Sequence, residues 1–141
     1  MPLVYNTFEQ IPPDGGKEDF IMSEVLLRKD VPAQAQWQTS HIYASQEEWE
    51  KDFQWVQEKA KELAAYAGTL KNGKDTVLSL LKTYAESSEH LSRLYTYASC
   101  NLNVDNGDSF NQGVMARTQT LYAQYSAAVA FLSPELLKLP K

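Results

Sequence analysis

The feature that most constrains this chain is a repeat of apolar residues at alternating spacings of four and three, which fills most of the sequence after Ser45. This spacing places the repeated side chains on one stripe of an α-helix. The repeat occurs in three separate segments, whereas the two-residue alternation typical of strands is absent over any useful length. Because short connections join the segments, the sequence predicts an all-α fold, an antiparallel three-helix bundle.

The first helix is predicted to begin after Ser45, which forms a capping box with Glu48. Gly68 is its expected stop, since glycine readily adopts a left-handed conformation. Trp55 and Tyr66 fall on another side, either as a second contact surface or as half-exposed residues. The predicted buried stripe is Trp49, Phe53, Val56, Ala60, Leu63 and Ala67.

The second helix is expected to start near Asp75 or Thr76, after the Asn72-Gly73 turn, and to end at residues 103–107. We expect one long helix whose weakest part, and the place for any kink, is at residues 86–89, because serines there compete for backbone hydrogen bonds. Its predicted stripe is Val77, Leu81, Tyr84, Ser88, Leu91, Tyr95, Ala98 and Leu102.

The third helix is expected to begin near Asp108 or Ser109. A short fourth helix is predicted at the end of the chain, with Ser133 as its N-cap and Pro134 at its first position. The predicted stripe of the third helix is Phe110, Val114, Thr118, Leu121, Tyr125, Ala128 and Leu132.

These patterns divide the chain into two parts, an irregular arm and a helical domain. Residues 1–44 are predicted to be an irregular N-terminal arm, in which residues 12–16 form a turn and residues 22–36 are extended. Met22 is an alternative start, which leaves the status of residues 1–21 open. Residues 45–141 are predicted to be the helical bundle domain.

Charge and composition argue against two classes of partner. The formal net charge is -5 and the 13 Lys and Arg are spread along the chain, so nucleic-acid binding is not expected. No run of about 18 apolar residues occurs, so no membrane helix is expected. The single cysteine fits a reducing compartment, and the acidic N-terminus does not resemble a secretory signal, so a cytoplasmic location is expected.

The residue types that carry chemistry do not form a complete catalytic or metal site in this sequence. The two histidines, His41 and His90, are 49 positions apart, and neither has a second histidine one turn away. Cys100 has no local base and is expected to be a small buried residue. The many carboxylates resemble a solvated face. We therefore expect no catalytic residue, no metal ligand and no cofactor in this chain.

The tyrosines of the second and third helices are the remaining feature. A core lined with aromatics is the favoured interpretation. The alternative is a surface that meets a peptide or a second domain, where tyrosine is enriched. Under that alternative, the candidate peptide-facing or interdomain residues are Tyr95, Tyr97 and Tyr125.

Three segments resemble the oligoendopeptidase F family in the same order. They are WQTSHIY at 37–43 followed by ASQEEWEKDF at 44–53, LSRLYTYAS at 91–99, and FLSPELLKLP at 131–140. The family implied by the resemblance consists of cytoplasmic zinc metallopeptidases that cleave short peptides. Their N-terminal helical part forms a wall or lid of the peptide channel, and their zinc-binding helix lies far downstream, outside this chain.

The resemblance therefore implies an N-terminal, non-catalytic domain of a larger peptidase. Its implied partners are the downstream catalytic domain and, in the parent enzyme, short peptides. Zinc is implied for the parent enzyme alone. The alternative, from a different class, is a freestanding helical module that binds a protein partner.

Overall fold

Three long helices and one short helix make up most of the computed structural model, which describes residues 31–35 and 37–139. Three short 3-10 turns accompany them, and no strand occurs within these two ranges. The helices are α1 (Gln46–Ala64), α2 (Lys74–Val104), α3 (Ser109–Ala128) and α4 (Leu132–Leu136). The three long helices all contact one another, so the predicted all-α bundle is confirmed. None of the helices in this part of the chain is long and apolar enough to cross a membrane.

The N-terminal arm is described only in part. The expectations for residues 1–21 and for residues 22–30 lie outside the described residues. Of the segment predicted to be extended, Ala33–Ala35 instead form a 3-10 turn, closed by a hydrogen bond from the Ala35 amide to the Pro32 carbonyl. A second 3-10 turn, Thr39–His41, leads into α1.

Helix α1 begins as its sequence predicts. The Ser45 hydroxyl accepts a hydrogen bond from the Glu48 amide at 3.3 Å, and the Glu48 carboxylate accepts one from the Ala44 amide at 3.0 Å. The expected burial of the stripe from Trp49 to Leu63 is confirmed, while Ala67 is exposed because the helix ends at Ala64. Gly68 was expected to stop the helix, but α1 ends at Ala64 and its C-cap is Ala65. Gly68 does have a left-handed conformation, with a φ of 79°, and turns the chain after the helix has ended.

Helix α2 is continuous over 31 residues, but the predicted stripe was wrong in three of its positions. Leu81 and Tyr95 are each 40% exposed, and Ser88 is half-buried while its neighbour Ser87 lies in the core. The side that faces the core instead carries Leu80, Ser87, Leu91, Leu94 and Ala98. Leu80–Leu81 and Leu94–Tyr95 are adjacent apolar pairs, so two stripes fit the same spacing, and only packing against α1 and α3 selects one of them.

Helix α3 begins after Asp108, whose carboxylate accepts a hydrogen bond from the Phe110 amide at 2.8 Å. Its buried side carries Val114, Met115, Thr118, Leu121 and Tyr125. Phe110, expected in the stripe, is 57% exposed because the core begins one turn later, at Val114.

The start predicted for the last helix was wrong. Helix α4 begins at Leu132, so Ser133 and Pro134 lie inside it and Ser133 caps nothing. Phe131 and Leu132 both pack against the core, and their burial places the helix start earlier than the capping signal does.

Candidate functional site

One group of polar side chains joins α1, α2 and the segment before them. We call Tyr43, Asp52 and His90 the Asp52 cluster. The buried Tyr43 hydroxyl donates to one carboxylate oxygen of Asp52, and the His90 Nδ1 lies 2.5 Å from the other. The turn that delivers Tyr43 is held by a hydrogen bond from the Thr39 hydroxyl to the Asn101 side chain at 3.0 Å.

The surroundings of the Asp52 cluster keep the Tyr43 hydroxyl protonated. Burial, and then the hydrogen bond and negative charge of Asp52, raise the pKa of Tyr43 well above its usual value. The Arg93 guanidinium, 5.3 Å from the centre of the Tyr43 ring, acts in the opposite direction. The Trp55 ring covers His90 at a centroid distance of 4.5 Å, which leaves the imidazole half-buried.

A surface depression of about 490 Å³ lies over this cluster. Its rim carries charges of both signs, from Glu48, Lys51, Glu86 and Arg93. A histidine paired with a carboxylate resembles part of a nucleophilic catalytic site, but the lining residues include no Ser, Thr or Cys to act as a nucleophile. The hydrogen bonds of Asp52 to Tyr43 and His90 fasten the segment around Tyr43 to the bundle.

The other chemistry-bearing residues are dispersed. His41 is exposed on its turn, far in sequence from His90, and Cys100 is half-buried instead of buried as expected. Throughout the described ranges, no three His, Cys, Asp or Glu side chains are placed to hold a metal ion.

The three candidate tyrosines lie in three different environments. Tyr125 is buried, with its hydroxyl 2.8 Å from the Ser87 hydroxyl and donating to the Tyr84 carbonyl at 3.2 Å. Tyr97 is half-buried and meets the Tyr43 ring edge-on at 5.4 Å. The structure does not bring these two together with Tyr95, which is exposed on the far side of α2.

Tyr95 has a different neighbour that sequence reasoning did not pair with it. Its ring lies 6.2 Å from that of Tyr122 on α3. Together they line a depression of about 590 Å³, whose other lining residues are Ser92, Thr96, Gln119 and Ala123. The spacing along each helix could not reveal this pair, because it depends on how α3 is rotated against α2.

That rotation is set on the opposite side of α3 by Arg117. Its guanidinium donates two hydrogen bonds to the Glu50 carboxylate, at 2.7 and 2.9 Å, and lies 4.6 Å from the Phe53 ring centre. The hydrogen bond from Arg117 lowers the pKa of Glu50. A bidentate pair stacked on an aromatic ring fixes orientation as well as distance, so it defines how α3 packs on α1.

These features define an all-α three-helix bundle that bears an exposed uncharged tyrosine pair. Comparison with known proteins identifies its relatives. The chain is 38% identical over 112 residues to oligopeptidase PepF of Bacillus subtilis (strain 168), a match that covers 79% of this chain and 17% of that protein. It is 27% identical over 118 residues to the chromosomal oligoendopeptidase F of Lactococcus lactis subsp. cremoris, covering 81% and 19% respectively.

A third relative is the group B oligopeptidase PepB of Streptococcus agalactiae serotype III (strain NEM316), 26% identical over 112 residues. The chain spans less than a fifth of the length of these three relatives. No family model matches the chain, and no solved structure gives a significant match. The resemblance to the oligoendopeptidase F family is confirmed: the chain is homologous to one part of each of these longer proteins.

Proposed function

We propose that this chain is the N-terminal, non-catalytic helical domain of an oligoendopeptidase F-like zinc metallopeptidase, and that it forms a wall or lid of the channel in which short peptides are cleaved. The observation that carries the proposal is the coverage of the match: about four-fifths of this chain, but under a fifth of each relative. The catalytic groups and the zinc then belong to the remainder of the polypeptide, which is the partner of this domain.

The architecture of the bundle suits such a role. A wall or lid restricts which substrates enter and excludes bulk water during the reaction. It has to keep its shape while it does so, and the Arg117–Glu50 pair and the Asp52 cluster both tie α1 to other parts of the bundle. We assign no step of peptide hydrolysis to residues of this chain, and we infer a cytoplasmic location and no role in binding nucleic acid or membranes.

A segment exchange tests this function. The matched segment of the Bacillus subtilis relative is replaced by the matching part of this chain, and cleavage of a short fluorogenic peptide is measured with and without a zinc chelator. We expect the chimera to cleave the peptide and to lose this activity when the chelator is added. Its relative rates on peptides of different lengths should differ from those of the parent enzyme. A chimera that folds but does not cleave the peptide would contradict the proposal.

A further inference from the structure

One exposed flank of α2 carries no charged residue from Leu78 to Asn103, while the charged residues Lys82, Glu86, Glu89 and Arg93 lie on the neighbouring flank. The residues of the uncharged flank recur three or four positions apart, so they lie on one side of the helix. We call them the α2 strip: Leu78, Leu81, Ala85, Ser88, Ser92, Tyr95, Thr96, Ser99 and Asn103. All nine are exposed or half-buried, none is charged, and the strip is about 38 Å long at roughly 1.5 Å per residue.

Helix α3 continues this uncharged surface. Arg117 is the only charged residue among the twenty of α3, and it is engaged with Glu50 of α1. The rings of Tyr95 and Tyr122 connect the α2 strip to α3. The exposed residues on the same side of α3 as Tyr122 are Gln112, Ala116, Gln119, Ala123 and Ser126.

The opposite side of the molecule has the composition of a surface that faces water. Nine of the nineteen residues of α1 are charged, and they include Glu47, Lys51 and Lys61 on its exposed side. Asp, Glu, Lys and Arg make up 22% of the whole chain, so α1 has a larger share of charge than the average and α3 a smaller one. Depletion of charge together with exposed tyrosine is typical of the centre of a protein–protein interface.

A largely apolar depression adjoins the α2 strip at the N-terminal end of α2. It has a volume of about 720 Å³, and Leu78 and Leu81 of the strip form part of its lining. The other lining residues are Leu70, Gly73, Val77, Leu139 and two lysines, Lys71 and Lys74. Leu78 is 51% exposed there. Such a recess accepts an apolar side chain from a partner, which is how interface anchors are usually seated.

We propose that this uncharged face of α2 and α3 is the surface on which the remainder of the peptidase packs, through a partner surface that is itself uncharged and partly apolar. The inference rests on the proposed function and deepens it by assigning the docking face. The relatives are more than five times as long as the segment they share with this chain, so in the proposed full-length protein a large remainder is available to pack on this domain. Along the α2 strip itself, charged partner groups would lose hydration without meeting a counter-charge, since none of its nine residues is charged.

Matched substitutions test the assignment in the segment-exchange chimera. Gln119→Lys places a charge beside the Tyr95–Tyr122 contact, and Gln124→Lys places the same charge on the side of α3 that carries Arg117. We expect Gln119→Lys to lower the unfolding midpoint of the chimera by about 3 °C or more. Neither substitution should change the midpoint of the isolated chain, since both glutamines are exposed. Ala123→Lys, also beside this contact, should repeat the effect of Gln119→Lys.

The outcomes separate this inference from the function on which it rests. Equal midpoints for the Gln119→Lys and Gln124→Lys chimeras overturn the docking face, even if the chimera cleaves peptides. A loss specific to Gln119→Lys in a folded but inactive chimera supports the docking face and contradicts the peptidase role. The isolated chain could instead self-associate, and Gln119→Lys could abolish this association while leaving the midpoint of the chimera unchanged. That result assigns the face to a second copy and overturns the inference. A chimera that cannot fold also overturns the inference.

Discussion

The imidazole of His90 on α2 and the carboxylate of Asp52 on α1 lie 2.5 Å apart, although 38 positions separate them in the sequence. The same carboxylate accepts the hydrogen bond of the buried Tyr43 hydroxyl. One side chain therefore connects three parts of the chain: the segment before α1, α1 itself and α2. Its removal leaves two polar groups of the Asp52 cluster without their acceptor.

Asp52→Ala is expected to lower the free energy of unfolding by about 2 kcal/mol, because a buried hydroxyl and a half-buried imidazole lose their acceptor together. Urea unfolding followed by circular dichroism measures the change. Glu89→Ala, which removes an exposed carboxylate from α2, serves as the control and should have little effect. Equal losses for the two variants would show that the Asp52 cluster does not fasten the bundle.

Alkaline pH should destabilise the protein through its buried tyrosines. The pKa of Tyr43 is raised by burial and by Asp52, and burial also raises the pKa of Tyr125. A raised pKa means that the folded state holds its proton more tightly than the unfolded state. The stabilisation is therefore complete below the ordinary pKa of 10.0 and is lost as pH rises above it.

Tyr43→Phe provides the measurement for this pH effect. Chemical unfolding of the native chain from about pH 8 to pH 11 should give a free energy of unfolding that falls at the alkaline end. The variant should show a smaller fall, because one of the two tyrosines no longer contributes. An unchanged slope would mean that the pKa of Tyr43 is the same in the folded and unfolded states.

Arg117→Lys is expected to destabilise the bundle by about 1 kcal/mol, although it keeps the positive charge. Lysine cannot form the two parallel hydrogen bonds to Glu50 or stack on Phe53 as guanidinium does. The magnitude is modest because the Arg117 and Glu50 side chains are 46% and 34% exposed, so solvent screens their attraction.

The appropriate comparison for Arg117 is Lys61→Ala, which breaks the exposed Lys61–Glu58 pair. It should leave the unfolding midpoint unchanged at moderate salt. If the two variants behave alike, the contact between α1 and α3 is an ordinary surface ion pair.

Leu80→Ala and Leu81→Ala should differ sharply although they are neighbours. Leu80 is fully buried, and its truncation is expected to cost about 3 kcal/mol through lost contacts and the cavity left behind. Leu81 is 40% exposed, so its truncation should cost less than about 1 kcal/mol. Thermal unfolding of both variants decides which residue faces the core.

Local signals in the sequence predicted the elements of the fold well where one interpretation fitted them. Ser45 was correctly assigned as a cap because its bonding partner is three residues away. The stripe of α1 was correct from Trp49 to Leu63 because a single set of apolar residues satisfies its spacing, and it failed only at Ala67, beyond the end of the helix. In α2, by contrast, adjacent apolar residues allowed two stripes, and the choice depended on neighbouring helices that a helical repeat cannot locate.

The candidate site was less accessible to sequence reasoning because its contacts are tertiary. His90 carried no signal of its pairing with Asp52, since the partner lies on another helix. Tyr95 was singled out, but its partner Tyr122 follows only from the rotation of α3. The sequence does show that α3 is almost uncharged, since Arg117 is its one charged residue. This pattern points to the proposed docking face without knowledge of the structure.

The position of α2 has a consequence for how the protein opens. This helix contacts α1, α3 and the two 3-10 turns Thr39–His41 and Leu70–Asn72. Separation of α2 therefore uncovers part of the buried side of both other long helices. Backbone amides near Leu91 and Leu94, at the centre of α2, should then exchange their hydrogens only through global unfolding, while those of the short helix α4 exchange through local fraying.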